Sequence, residues 1–367
     1  MKDVNSKVID EGLKYVNNDA CYPSITVVGQ MMEAINSGRY DTDKLALLMS
    51  QTGGACRASN YVGFIRKALK EAGYENIPVI AISWQNIETN EGFNLSPLVL
   101  QKMIVAVLYG DLIMRLSNFT RAYEKEKETD TLKQKWIEEC QKRVLKSSSK
   151  LFRQTVDEII EDFSKIELLD IQKPKVGIVG EILVKYLPQA NNNLQDLLEK
   201  EGCEVVMPDL TDFVLYCLRN EYHKGNFLSK SKFTGFMCNM GVNLIEHYRK
   251  YIRNQLIKSK FTHPLKIQEL EDYAQEVVSL GNQYGEGWLL TAEMIELIHI
   301  NANNIVCIQP FGCLPNHITG KGVIKRIRQL YPQANIIPID YDPGASEVNQ
   351  INRIKLMLSQ AKEKINN

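Results

Sequence analysis

The sequence carries 8 cysteines but no CxxC or CxxxC pair. That absence excludes compact zinc knuckles and the local motif of ferredoxin-type clusters, which gather thiolates from one short loop. Any metal site must collect cysteines from distant parts of the chain. Nor is there an excess of either charge, since 44 Lys and Arg face 44 Asp and Glu. Nucleic-acid and membrane-surface binders rely on a basic excess to attract phosphates, so small molecules and other proteins are the expected partners. A P-loop is missing as well. "ITGKGVIK" lacks both the first glycine and the Ser or Thr of that motif, and "KVGIVGEILVKY" holds Gly177 and Gly180 without a full GxGxxG. No Ser/His/Asp set, no paired carboxylates, no internal repeat and no low-complexity tract stand out.

Long uncharged apolar runs are also lacking. The most apolar stretch, "PLVLQKMIVAVLYGDLIMRL", is interrupted by Gln101, Lys102, Asp111 and Arg115, which would be costly in lipid. It reads as a buried helix. The N-terminal "MKDVNSKVIDEGLKYVNNDA" is studded with charge and has no apolar core or small-residue cleavage site, so a cytoplasmic protein is expected. In that reducing compartment the cysteines serve packing, catalysis or metal binding rather than disulfides.

What is present is the composition of a globular protein, 44% hydrophobic and 24% charged over 367 residues, enough for two or three α/β units. Four segments share one grammar of apolar strand, turn and amphipathic helix. They are "KLALLMSQTGG" into "CRASNYVGFIRKALKEAGY", "KVGIVGEILVKY" into "NNNLQDLLEKEG", "NNIVCIQPFGCLP" into "NHITGKGVIKRIRQLYP", and "NIIPIDYDPGAS" into "EVNQINRIKLMLSQA". "IPVIAISWQN" and "EVVMPDLTD" add strands. Strands alternating with helices imply parallel sheets with helical crossovers. A charged helical stretch from about 124 to 170 ends before a new strand at Val176, which divides the chain into an N-terminal α/β lobe, 1–170, and a C-terminal α/β part, 171–367. Residues 219–283 contain no strand pattern and are expected to be helical.

Three cysteines fall where helices begin. Cys56 follows a strand and two glycines in "LALLMSQTGGACRASNYVGFIRKAL", Cys313 follows "IVCIQPFG", and Cys21 stands two residues before a proline suited to a first helical turn. Ligands of open α/β sheets gather at such carboxyl ends of strands. A helix dipole and free N–H groups there lower a thiol's pKa and favour iron-bound thiolates. Adjacent glycines would let a bulky inorganic group approach. Cys307 in a strand, Cys217 in a helix, Cys203 in a turn, Cys140 in a charged helix and Cys238 in "GFMCNM" read instead as packing residues.

Together "NNDACYPSITVVGQ", "TGGACRASNY", "GEILVKYLPQANNNLQDLLEKEGCEVVMPDLTDFVLY", "GEGWLLTAEMIELI" and "QPFGCLPNHITGKG" resemble the 2-hydroxyacyl-CoA dehydratase-like superfamily. Within it, they look like the acyl-CoA dehydratase activase-related branch, often the C-terminal section of a longer polypeptide. The resemblance covers nearly the whole chain. It implies an α/β fold of two to three Rossmann-like lobes, parallel sheets flanked by helices, with a 4Fe-4S cluster between lobes. The positions matching the family's cluster cysteines are Cys21, Cys56 and Cys313; some relatives carry an 8Fe-9S double-cubane instead. In relatives an ATP-hydrolysing activase of actin/Hsp70-like fold delivers the electron. In true dehydratases that electron forms a ketyl radical on a 2-hydroxyacyl-CoA and the hydroxyl leaves, while others reduce aromatic thioesters. The implied partners are that activase, a related subunit in a homo- or heterodimer and a small-molecule substrate such as an acyl-CoA, with neither nucleic acid nor membrane. Twenty residues precede Cys21, so no counterpart is expected within this sequence for the segment that dehydratase subunits place before this cysteine.

Three further residues are candidates for chemistry. His317, four residues after Cys313, either donates a proton near a cluster or caps a helix start. Glu286 in "GEGWLL" is an acid/base residue or an N-terminal charge, with the second favoured. Arg57 pairs with a cluster sulfide or an anionic substrate, or forms a surface ion pair. "NNN", 191–193, is expected to cap the next helix, and the stripe Trp288, Leu289, Met294, Leu297 and Ile298 to be core. The reading is a low-potential, iron-sulfur electron-transfer protein acting on a small substrate. Its rival is a non-catalytic component that carries or scaffolds a cluster.

Overall fold

The computed structural model describes residues 6–51, 54, 56–83, 96–146, 148–227 and 232–366. Helices α1 (Ser6–Leu13) and α2 (Tyr22–Asn36) lead into strand β1 (Leu47–Gln51), a 3-10 turn (Arg57–Asn60), α3 (Tyr61–Glu71) and β2 (Val79–Ser83). Three helices follow, α4 (Pro97–Tyr123), α5 (Thr129–Leu145) and α6 (Ser149–Ser164). Next come β3 (Lys175–Gly180), α7 (Ile182–Tyr186), α8 (Leu194–Lys200) and β4 (Glu204–Val206), then the helical stretch α9 (Leu210–Phe227), α10 (Lys232–Leu256) and α11 (Ile267–Gln275). The chain closes with α12 (Gly287–His299), β5 (Asn304–Pro310), α13 (Leu314–Thr319), α14 (Ile324–Leu330), β6 (Asn335–Tyr341) and α15 (Glu347–Asn366).

The fold is α/β with two parallel sheets. One pairs β1 with β2, Leu47 opposite Val79; the other has the order β4-β3-β5-β6. Its inner strands carry near-continuous apolar runs because helices cover both faces: Val176, Ile178 and Val306 pack toward α8 and α15, while Val179, Ile305 and Cys307 pack toward α12 and α14. The expected strands all form. In "KVGIVGEILVKY", however, the strand stops at Gly180 and "ILVKY" is helix α7. Gly180 turns at φ +144°, where an added Cβ would strike the Ile308 carbonyl, and the Glu181 carboxylate then accepts the Val184 N–H at 2.8 Å, capping the new helix. The asparagine run caps α8 as expected, through Asn191 Oδ1 on the Leu194 N–H at 3.0 Å.

Helix α4 is, among the described residues, long and apolar enough to cross a membrane by length and composition. Its polar residues are bound within the chain. Asp111 accepts the N–H groups of Leu210 and Thr211 at 2.9 and 2.8 Å, capping α9 from outside, and Arg115 reaches Asp209 at 2.7 Å. The expectation of a buried helix holds in part: Leu98, Val99 and Met103 are exposed, as are Ala106 and Gly110, and the buried positions concentrate from Val105 onward. The rest of α4 joins α5, α6 and residues Tyr248, Ile252 and Leu256 of α10 in one apolar core.

Arg249 is 1% exposed and bridges Asp212 and Asp209 inside this helical layer. Removing one partner of a buried pair strands the other charge. Arg249→Leu should therefore lower the unfolding free energy by about 3–5 kcal/mol in a denaturant titration. A loss under about 1 kcal/mol would show that this ion pair is dispensable.

Candidate functional site

Cys21, Cys56 and Cys313 are all N-cap residues, of α2, the 3-10 turn and α13, each in extended backbone conformation with ψ of 144°, 141° and 103°. Pro23 and Pro315 sit in the first turns behind two of them, where a missing N–H costs nothing. The adjacent glycines divide in role. Gly312 has φ +70° with open space around its missing Cβ, so it serves the turn. At Gly54, φ +78°, a Cβ would meet the Tyr284 ring at 2.3 Å, so the slim backbone admits an aromatic ring.

A pair of buried carboxyls joins these starts. Glu286, at the head of α12, accepts the Ile182 N–H of α7 at 3.0 Å with one oxygen and the Asn316 amide of α13 at 2.6 Å with the other. The same Asn316 nitrogen lies 3.3 Å from Cys313 Sγ. Glu181, the N-cap of α7, is the second carboxyl; burial first, then Glu286, raises it to about 8, and burial raises Glu286 too. Sequence reasoning found no paired carboxylates because 104 residues separate Ile182 from Glu286. Glu286 does occupy an N-terminus, as expected, but the N–H it satisfies belongs to a different helix.

The thiols share this environment. Burial, then Glu286, pushes Cys56 up to about 12, with smaller contributions from Glu181 and Cys21. Cys313 moves the same way, from burial, then Glu286, then Glu181. Cys21 lies 3.0 Å from Ser24 Oγ and 4.0 Å from the hydroxyl of Tyr61, which is raised by burial first and then by Glu181, Cys21 and Cys56. The lowered pKa expected at a helix start is thus overturned for Cys56 and Cys313. The N–H groups of Ala58 and Asn316 do favour the thiolates, but desolvation and the carboxyls outweigh them.

Beside Cys56 lies a cavity of about 170 Å³, walled also by Gln51, Glu181, Tyr216, Cys217, Lys224, Cys238, Gln283 and Glu286. Cys217 and Cys238, read from sequence as packing residues, are on that wall. The helical period of α9 and α10 hid them, since a position between the apolar and polar faces looks like core until the facing helix is known. Cys140, Cys203 and Cys307 are buried packing residues as expected.

The other candidates stand apart. His317 Nδ1 donates to the Cys313 carbonyl one turn back at 2.9 Å and its Nε2 is 4.0 Å from Asp340, so it caps none of the free N–H groups at the start of α13. Arg57 is exposed. The stripe from Trp288 to Ile298 is core.

No family model matches the chain, and no curated protein is similar to it. Among the described residues no three His, Cys, Asp or Glu side chains form a site for one metal ion. One ion needs its ligand atoms about 2–2.3 Å from a single point, whereas an iron-sulfur cluster takes each thiolate on a different iron. Of the three cysteines, Cys56 has the Ala58 N–H beside its sulfur and Cys313 that of Asn316, while Cys21 has the hydroxyls of Ser24 and Tyr61.

Glu181 carries a pH signature. Its carboxyl holds a proton more tightly in the fold, at about 8, than the ordinary value of 4.5. Its contribution is therefore full below 4.5 and is lost as pH rises through 8. Glu181→Gln should flatten the fall in thermal midpoint across that upper range, leaving the slope that Glu286 contributes. Identical pH profiles would refute the assignment.

Proposed function

We propose that this is a cytoplasmic iron-sulfur protein of Rossmann-like lobes, related to the 2-hydroxyacyl-CoA dehydratase-like superfamily, that passes low-potential electrons to a small substrate. The observation that carries the reading is that Cys56 and Cys313, distant in sequence, occupy helix starts against the same Glu181–Glu286 pair, with Cys21 beside Cys56. Cys21, Cys56 and Cys313 would hold a 4Fe-4S cluster, or the 8Fe-9S form. When bound, it supplies one-electron transfer at low potential.

The chain's own groups do the rest. Asn316 turns its amide toward the Cys313 sulfur and is itself held by Glu286, the kind of outer hydrogen bond that orients a ligand. Glu181, raised to about 8, keeps its proton at neutral pH beside the cavity and can give it to a guest. The electron donor in this reading is a separate ATP-hydrolysing activase of actin/Hsp70-like fold, with a related subunit as dimer partner.

The cavity supports catalysis. A second reading, a non-catalytic cluster-carrying component of a larger assembly, draws on the exposed apolar row Phe233, Phe236, Met237, Met240 and Leu244 of α10, a surface suited to a protein partner.

Replacing Cys56 or Cys313 by Ala should remove most iron from anaerobically prepared protein, because each supplies one of a few ligands. Cys140→Ala and Cys203→Ala, in the apolar core, should retain it. Equal iron in Cys313→Ala and the parent would refute the ligand set.

A further inference from the structure

We propose that the outer face of α10, together with the start of α4, is the interface of a symmetric dimer whose occupant is the same face of a second copy of this chain. The proposal rests on neither reading of the cysteine site and needs no cluster.

Helix α10 is apolar on two sides. Val242, Ile245 and Ile252 are buried against the rest of the chain, whereas Phe233, Phe236, Met237, Met240 and Leu244 form a second stripe, at helical spacing, that is exposed. A helix with one face in the core carries polar residues on the face it shows to water, and one that is apolar on both sides is covered on both. Charge is kept off this stretch: no Lys, Arg, His, Asp or Glu stands between Lys232 and Glu246, in a chain that is 24% charged. Few charges with Phe and Met in excess is the composition of an interface core. The patch continues onto α4 through exposed Leu98, Val99 and Met103. At about 200 Å² per fully open side chain and roughly half exposure, these eight residues present roughly 800 Å². That exceeds the largest apolar patch of a typical monomer, about 300–600 Å², and equals the area of about 800 Å² that each partner contributes to a stable complex.

Between the two helices the face is hollow. A cavity of about 310 Å³ lies among α4, α9 and α10, walled by Leu100, Ile104, Val107, Val214, Leu218 and Leu244, with no charged residue around it. Its polar side chains, Gln101 and Thr211, are held by Tyr248 and Asp111. An apolar side chain from outside is what fits it. When two α10 helices cross antiparallel about a twofold axis at Met240, position 236 of one copy lies opposite position 244 of the other. Leu244 is on the wall of the hollow, so each exposed Phe236 meets the hollow of the other copy, and the symmetry makes that contact twice. One surface thus supplies both the projecting ring and the recess that receives it, which singles out a second copy among apolar partners.

The test is sedimentation velocity of the full chain over a range of concentrations. The parent should sediment with twice the 41.9 kDa of one chain. Met240→Glu and Met240→Lys each bring like charges together at the axis, and each should raise the dissociation constant of the dimer by about a hundredfold. An equimolar mixture of the two should associate again, because there each charge meets its opposite. Phe236→Ala, which empties the hollow, should weaken the dimer by about thirtyfold. Leu356→Glu, at an exposed position of α15, should leave it intact. The proposal is overturned if the parent is a monomer throughout, if Met240→Glu associates as the parent does, or if the mixed Glu and Lys variants stay monomeric.

Discussion

The cysteine site depends on the buried carboxyl of Glu286. Strands β3 and β5 are neighbours in the larger sheet, and the helices that leave their carboxyl ends, α7 and α13, begin close together with N–H groups unpaired. Glu286 reaches both, through the Ile182 N–H and the Asn316 side chain. Asn316 carries the tie on to Cys313. A carboxyl in so dry a place is driven toward its neutral form, and a second one, Glu181, adds to the effect. The thiols inherit this strain on negative charge. Metal-free Cys56 and Cys313 are held as neutral thiols, so a bound metal group would displace their protons.

Helix α12 extends that polar tie through the core. Glu286, Glu293 and Glu296 lie along it; Glu293 is paired with buried Lys185 of α7 at 2.8 Å, and Glu296 stands in the field of Asp212 and Arg115. The last two belong to the ion-pair layer where α4, α9 and α10 meet. One helix, apolar over most of its surface, thus links the cysteine site to the charged seam of the helical layer. Breaking a pair in such a seam leaves a buried charge uncompensated, which ties the geometry of the site to the integrity of the core.

Much of the fold was legible in local pattern. Each expected strand formed, because apolar runs bounded by Gly, Pro and Asn have few alternatives. The N-cap positions of Cys21, Cys56 and Cys313 were legible for the same reason, as Pro and Gly mark where helices begin. The start of α7 was misplaced because "ILVKY" has strand composition, and the decisive contact, Glu181 on its own first turn, outweighs that propensity. The carboxyl pair, the direction of the thiol shifts and the cavity walls were illegible. They arise from side chains brought together by topology, and an acid such as Glu286 has no local mark showing that its oxygens will meet Ile182 and Asn316.

The measurement that bears most directly on the cysteine site is iron and acid-labile sulfide per chain in protein purified without oxygen, together with the low-temperature EPR spectrum after reduction. The account predicts about four iron and four sulfide per chain, or about eight and nine for the larger form, with a cluster signal on reduction. Protein that holds no iron after anaerobic reconstitution, or iron without sulfide, would contradict it.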